Sequence, residues 1–242
     1  VGRDFCEASL GDPLPEYILH DVELMIHAAH DMAPGTIEKN VIGTKFWHEQ
    51  AVAAGVRNQL FFTSCSAHAA APSDYGKAKY QLEKFFLEKQ VLILRPGLVL
   101  GKGGSYYRLA QFLSKAELVP ILGGNAVKTA ITQIDVLCQV IKNYKTLQSG
   151  KVYNLFQKEM IGLLDMAKTI QAACGNKGRV FPLPVWMSVI LLFTAELLGV
   201  KLPSRYSDFM ALVKSQKYGY ESSYAELDIP EESFAQIVKT YS

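Results

Sequence analysis

Tyr75 and Lys79 stand four residues apart in Tyr75-Gly-Lys-Ala-Lys79, directly after Ser73-Asp74. Ser and Asp are favoured at helix N-caps, so the spacing predicts a helix from about Tyr75 to Lys89. Positions i and i+4 share a helix face. A phenol and an ammonium on one face suit proton transfer, because an adjacent cation favours phenolate and lowers the tyrosine pKa from about 10. Tyr75 is therefore a candidate acid/base for a substrate hydroxyl or carbonyl. The alternative for such a pair is two solvated side chains. Upstream, Phe61-Phe62-Thr63-Ser64-Cys65-Ser66-Ala67 closes an apolar run with hydroxyls. Open parallel sheets bind ligands outside the carboxyl ends of their strands, so a serine here is placed to hold the substrate oxygen on which Tyr75 acts. Turn capping is the alternative for these hydroxyls.

These residues need a scaffold. Glu23-Leu24-Met25-Ile26 reads as a short buried strand. Ile37 to Ala54 carries apolar residues at helical spacing (Val41, Phe46, Ala51, Val52) and stops at Gly55. Gln59 to Thr63 reads as the next strand, and Val91 to Leu94 as another, closed by Arg95-Pro96-Gly97. Strands alternating with helices predict an α/β fold, a Rossmann-like doubly wound parallel sheet covered on both faces. After Gly101 the pattern changes, and a smaller, mostly helical C-terminal substrate lobe is expected. Residues 1–101 form the expected dinucleotide-binding core, with 129–155 returning to it; 102–128 and 156–242 form the lobe.

Composition sets bounds. The chain has 242 residues, 49% hydrophobic and 20% charged, with a net charge of +2. That suits a globular enzyme and gives no footprint for nucleic acid. The four cysteines, Cys6, Cys65, Cys138 and Cys174, form no CxxC pair and read as reduced thiols in a cytoplasmic setting. No signal peptide is read at the start. The run from Val185 to Ala195, extending to Val200, falls short of the roughly 20 residues a spanning helix needs. It reads first as a buried lobe helix, with Trp186, Phe181 and Phe193 in the lobe core. A surface helix touching lipid, or lining an apolar substrate pocket, is the other reading. His27 and His30 read as cleft-lining residues, since a metal site would need further ligands. His68 lies near Ser66, but the GxSxG of a hydrolase elbow is absent. Tyr106, Tyr107 and Arg108, after Gly103-Gly104, read as a substrate loop or as ordinary packing.

Five segments occur in a telling order: His27-Ala28-Ala29, Asn40-Val-Ile-Gly43-Thr44, Thr63-Ser-Cys-Ser66-Ala67, Tyr75-Gly-Lys-Ala-Lys79 and Leu94-Arg-Pro-Gly-Leu-Val99. From about Gly11 to Asn154 the chain resembles the extended or atypical short-chain dehydrogenases/reductases, relatives of the nucleotide-sugar epimerases and dehydratases. Thr132-Gln-Ile-Asp135-Val136 and Lys151-Val-Tyr-Asn154 resemble later segments of that family. Val180-Phe-Pro-Leu-Pro-Val-Trp186 resembles the lobe of its atypical members, which include an accessory subunit of respiratory complex I and sterol-dehydrogenase-like enzymes.

The resemblance implies roles. Tyr75 would be the acid/base, and Lys79 would bind the nicotinamide ribose and lower the Tyr75 pKa. Ser66 would be the catalytic serine, with Ser64 the fallback. Asn40 would help organise a water near Lys79. Asp12 would contact the adenine, Ala28 and Ala29 would line the dinucleotide cleft, and Thr63 and Ser64 would flank the nicotinamide. Pro96, Gly97 and Val99 would close over it. The implied activity is hydride transfer at an alcohol or carbonyl with NADP or NAD. The alternative is a non-catalytic dinucleotide-binding accessory or sensor subunit, with the apolar Trp186–Val200 stretch as its partner surface. The implied substrate is a nucleotide sugar or an apolar carbonyl, and a homodimer fits the reading.

Two departures qualify this. The glycine-rich phosphate-binding turn of the first strand–helix unit is not in the sequence. An N-terminal segment preceding Val1 is therefore expected, with Val1-Gly2-Arg3-Asp4 as the end of a second strand. There Arg3 would suit the NADP 2′-phosphate while Asp4 suits NAD, tilting the choice toward NADP. Second, Tyr75 stands only nine positions after Ser66, which resembles a shorter loop than nucleotide-sugar enzymes carry.

Overall fold

The computed structural model describes residues 6–200, 202 and 205–241. Arg3, assigned above to the cofactor phosphate, lies outside the described residues. In chain order the elements are α1 (Glu16–Leu19), β1 (Leu24–His27), α2 (Ile37–Ala53), β2 (Asn58–Phe62), α3 (Asp74–Glu88), β3 (Leu92–Pro96), β4 (Leu98–Leu100), α4 (Gly104–Leu113), β5 (Leu118–Leu122), β6 (Lys128–Thr129), β7 (Ile131–Gln133), α5 (Ile134–Lys142), β8 (Val152–Leu155), β9 (Ile161–Gly162), α6 (Leu163–Ala173), β10 (Arg179–Leu183), α7 (Val185–Leu197), α8 (Tyr206–Ser215) and α9 (Phe234–Tyr241).

The chain divides into two compact units. The first runs to Arg95 and takes back Lys145–Tyr153. Its sheet has the order β1-β2-β3-β8. β1 pairs in parallel with β2 (Leu24 opposite Asn58, His27 opposite Phe61), and β2 with β3 (Leu60 opposite Leu92, Phe62 opposite Leu94). The last seam is begun by the Gly150 and Ile93 amides, which donate to the Val91 and Lys151 carbonyls. The α/β reading with parallel strands is thus the architecture found.

The helices form where their local chemistry allows. Ser73 caps α3, its hydroxyl accepting from the Gly76 amide at 3.1 Å. Ala78, Leu82 and Phe86, each four residues apart, then lie on one stripe. They meet Phe61 and Ile93 of the sheet and Val41 of α2 in one core cluster, with the Phe61 and Phe86 rings stacked at 4.7 Å. α2 ends as expected at Gly55, whose φ is 84°; the Val56 amide reaches back to the Ala51 carbonyl and closes the last turn. α3 ends on the same pattern with Gln90 in place of glycine, φ 56°.

The second unit comprises Pro96–Tyr144 and the chain from Asn154 onward. It holds three strand pairs, β4 with β7 and β5 with β10 in parallel, β6 with β9 antiparallel. Its main core gathers Leu100, Tyr106, Leu113, Ile131, Ile170 and Ile237 from β4, α4, β7, α6 and α9. A second cluster joins Val127 to Leu192 of α7 and Phe209 of α8. Residues 129–144 differ from their expected place. They belong to this unit because β7 pairs with β4, and the segment that rejoins the first unit is Lys145–Tyr153. The expected boundary at residue 101 falls after Arg95.

Tyr106 is core, whereas Tyr107 is partly exposed. Trp186, Phe181 and Phe193, read as lobe core, lie on the surface; α7 buries only Ser188, Leu192 and Ala195. Apolar composition marked the helix as buried, but just one of its faces meets the core. No helix among the described residues is long and apolar enough to cross a membrane.

Candidate active site

The residues with chemistry collect at the carboxyl ends of β1 and β2 and on the first turns of α3, all within the first unit. Tyr75 and Lys79 sit one turn apart on α3. Lys79 is buried, at 3% exposure, with Nζ 2.7 Å from the Phe62 carbonyl oxygen to which it donates. The ammonium lies 4.8 Å from the Phe61 ring centroid and 5.9 Å from that of Tyr75. Burial pushes the Lys79 pKa down to about 8. An ammonium has three N–H groups. Among the described residues the Phe62 carbonyl is its one hydrogen-bond acceptor.

The Tyr75 pKa departs from the expectation. It is raised rather than lowered: burial dominates, and the hydrogen bond with the Ser64 side chain opposes it only in part. Removing the phenol from water outweighs that hydrogen bond, and Cys65 adds to the rise. The His30 ring stands edge-on to Tyr75, centroids 4.8 Å apart. Burial, then Lys79, holds the His30 pKa at about 4, so its imidazole is neutral at physiological pH.

The two serines separate. Ser64 bonds Tyr75, and its hydroxyl accepts from the Ser66 amide at 3.2 Å. Ser66 contributes backbone: its carbonyl oxygen lies against Gly76, where a Cβ would collide with it. That contact draws the start of α3 onto the end of β2. It makes Ser64, the fallback, the serine at Tyr75.

Three other expected residues are occupied elsewhere. Both amide hydrogens of Asn40 go to the loop before α2, to the carbonyls of Asp31 and Thr36, each at 2.9 Å; its Oδ1 accepts from the Asp31 amide at 2.8 Å. Asn40 thus braces the loop that carries His30. The Thr63 hydroxyl donates to Glu83 Oε2 at 2.6 Å, while Glu83 Oε1 accepts from Arg95 at 2.6 Å. The Asp12 carboxylate accepts from the Ser9 amide, closing its own turn, and the Asp12 carbonyl accepts from the Trp47 indole. Ala28 and Ala29 are exposed just past β1. In the second unit Gly97 donates its amide to the Thr132 hydroxyl at 2.8 Å, and Val99 pairs with Thr132 between β4 and β7. Pro96 ends β3.

The sequence reading missed two buried polar groups. Glu83 and Arg95 form an ion pair beneath the site, nearly sealed from water. Their signal was available: Arg95 is the lone charge in Leu92-Ile-Leu-Arg95-Pro96, and Glu83 continues the i, i+4 row of Tyr75 and Lys79. Gln59 Oε1 meets His27 Nε2 and His48 Nδ1, each at 2.8 Å. His27 is thereby largely a core residue, held neutral by burial with a pKa of about 4. It also touches a pocket beside β1, with Leu14, Ile26, Ala29, Thr44 and Trp47.

The first unit has a class of architecture, a parallel Rossmann-like α/β sheet. Solved structures of that architecture match the chain. The crystal structure titled gox2253 covers 96% of this chain and 81% of its own, with a TM-score of 0.70 at 17% identity. RMD from Pseudomonas aeruginosa, complexed with NADPH, covers 87% and 88%, TM-score 0.59 at 14% identity. The UDP-glucose 4-epimerase of Thermotoga maritima, with UDP-glucose, covers 88% and 84%, TM-score 0.61 at 18% identity. No protein-family profile matches the chain, and no curated protein matches it in sequence.

Proposed function

We propose that this chain is an NAD(P)-dependent enzyme of the extended short-chain dehydrogenase/reductase kind, close to the epimerases and dehydratases, acting on an alcohol or carbonyl. One observation carries the reading. The Tyr75 hydroxyl is bonded by Ser64 while a buried ammonium, Lys79, lies one turn away with, among the described residues, one carbonyl as its acceptor. A buried cation with unsatisfied N–H groups is costly. Two ribose hydroxyls would satisfy it, so these residues fit the nicotinamide half of a dinucleotide. Ala28 and Ala29, small and exposed, suit close approach of the same ligand.

The roles follow from protonation. Burial keeps Tyr75 a neutral phenol at neutral pH, so it donates a proton to a developing alkoxide, or takes one back in the reverse direction. Ser64 holds the substrate oxygen against it. Lys79 holds the ribose and, charged, favours the phenolate that Tyr75 becomes. A nicotinamide dinucleotide, when bound, supplies or accepts the hydride. Thr63 contributes backbone, since its hydroxyl is committed to Glu83. Pro96, Gly97, Val99 and Asp12 remain assigned to the cofactor, and Asn40 to positioning. The lean to NADP rests on Arg3. A nucleotide sugar, as in the Thermotoga maritima enzyme, and an apolar ketone are the substrate classes to separate.

The test is turnover of deuterium-labelled NADPH against a panel of UDP-sugars and apolar ketones. Tyr75→Phe should lower turnover by about 10²–10⁴-fold while NADPH affinity changes little. Ser64→Ala should cost more than Ser66→Ala. Unchanged turnover in Tyr75→Phe would sink the assignment.

A further inference from the structure

The most apolar segment of the chain is on the outside. In α7 the residues Trp186, Met187, Ile190, Leu191, Phe193, Leu197 and the following Leu198 are exposed, Trp186 at 65% and Leu197 at 76%. At 3.6 residues per turn they cover roughly 160° of the helix. Ser188, Leu192 and Ala195 fill the opposite side, against the core. Val200 and Leu202 extend the exposed surface past the helix. Scattered apolar residues on a surface are ordinary, but a contiguous patch of this kind marks an interaction site.

Two features say what covers it. First, the hydroxyls of Ser188 and Thr194 and the carboxylate of Glu196 are bonded within the chain. The Thr194 hydroxyl donates to the Ile190 carbonyl at 2.8 Å, and that of Ser188 to the Pro184 carbonyl at 3.0 Å. The Glu196 carboxylate accepts from the Tyr206 amide at 2.7 Å. A protein–protein interface carries about one hydrogen bond per 100–200 Å² and a polar rim. This face offers aromatic and aliphatic side chains and no charge from Val185 to Ala195, as a surface facing hydrocarbon must. Second, charge is segregated around it. Residues 174–220 carry six lysines and arginines against two acidic residues, a net of +4, whereas the whole chain carries +2. The remainder is therefore net negative. Lys177 and Arg179 lead into α7, and Lys201 and Arg205 follow it. Apolar face, aromatic residues and flanking cations are the combination that anionic bilayers attract.

We propose that the outer face of α7, with Leu198 and Val200 just past it, forms a membrane-surface contact, lying in the headgroup–acyl boundary of an anionic bilayer. It does not depend on the reaction proposed at Tyr75.

The test is sedimentation of the full chain with phosphatidylcholine vesicles, with and without one-third phosphatidylglycerol. Ile190→Glu/Leu197→Glu alters two exposed positions, and circular dichroism checks that the fold survives. The wild-type chain should bind the anionic vesicles, less as salt rises, and the double variant about 10-fold or more weakly. In Trp47→Phe, which isolates the Trp186 emission, brominated lipid should quench fluorescence. Absence of vesicle binding, equal binding by the double variant, or unquenched Trp186 would each overturn the proposal. So would a dimer that the double variant dissociates without any wild-type binding to lipid, which would assign the face to a second copy. Equal binding to pure phosphatidylcholine would overturn the anionic assignment.

Discussion

Single residues carry the chemistry through their burial. Lys79 has its pKa depressed to about 8, whereas an unfolded lysine titrates near 10.4. Between these values the unfolded chain holds a proton that the folded chain has released, so unfolding free energy rises with pH there. The increment from Lys79 is on the order of 2–3 kcal/mol. Comparing wild type with Lys79→Met from pH 7.5 to 9.5 by urea denaturation isolates it. A difference between the two that stays flat with pH would contradict the depressed pKa. Beneath the site, the Glu83 carboxylate joins Thr63 to Arg95. Removing one partner of a buried ion pair strands the other, so Glu83→Ala should destabilise by about 3–5 kcal/mol in the same assay.

At the scale of elements, the site depends on how the start of α3 meets the end of β2. Gly76 makes that possible. A side chain there would strike the Ser66 carbonyl and crowd Ala71, and the helix would have to retreat from the strand. Gly76→Ala should cost about 1–3 kcal/mol and lower turnover more than stability, because Tyr75 and Ser64 sit on opposite sides of that seam. Matched losses in the kinetics and stability of a distant control, Gly175→Ala, would argue against a positioning role. The loop bound by Asn40 performs the same service for His30. Packing of α3 is secured separately by Ala78, Leu82 and Phe86, which explains how one helix supports a buried cation on one stripe and core on the next.

For the molecule as a whole, the testable property is linkage. A dinucleotide that binds only the folded chain stabilises it by about 2.7 kcal/mol at 100 times its Kd. NADPH or NADH should therefore raise Tm, and the cofactor giving the larger shift at equal concentration decides the choice that Arg3 left open. No shift with either would mean that the chain as it stands does not bind dinucleotide.

Much of this was legible in the residues. Strand and helix alternation through Leu94 follows local rules: capping at Ser73, a stop at Gly55, apolar runs of strand length. The elements accordingly fall within a few residues of their predicted places. Tyr75 and Lys79 share a helix face by spacing alone. What spacing could not settle is which of two serines meets Tyr75, because a turn after β2 decides it and turn geometry is not periodic. Nor could it set the direction of the Tyr75 pKa, which depends on how much water the fold removes, or place residues 129–144, which go where β7 finds its partner strand. The outward face of α7 belongs here too: composition shows that the helix is apolar, but only the packing of Leu192 against Val127 and Phe209 fixes which side is left over.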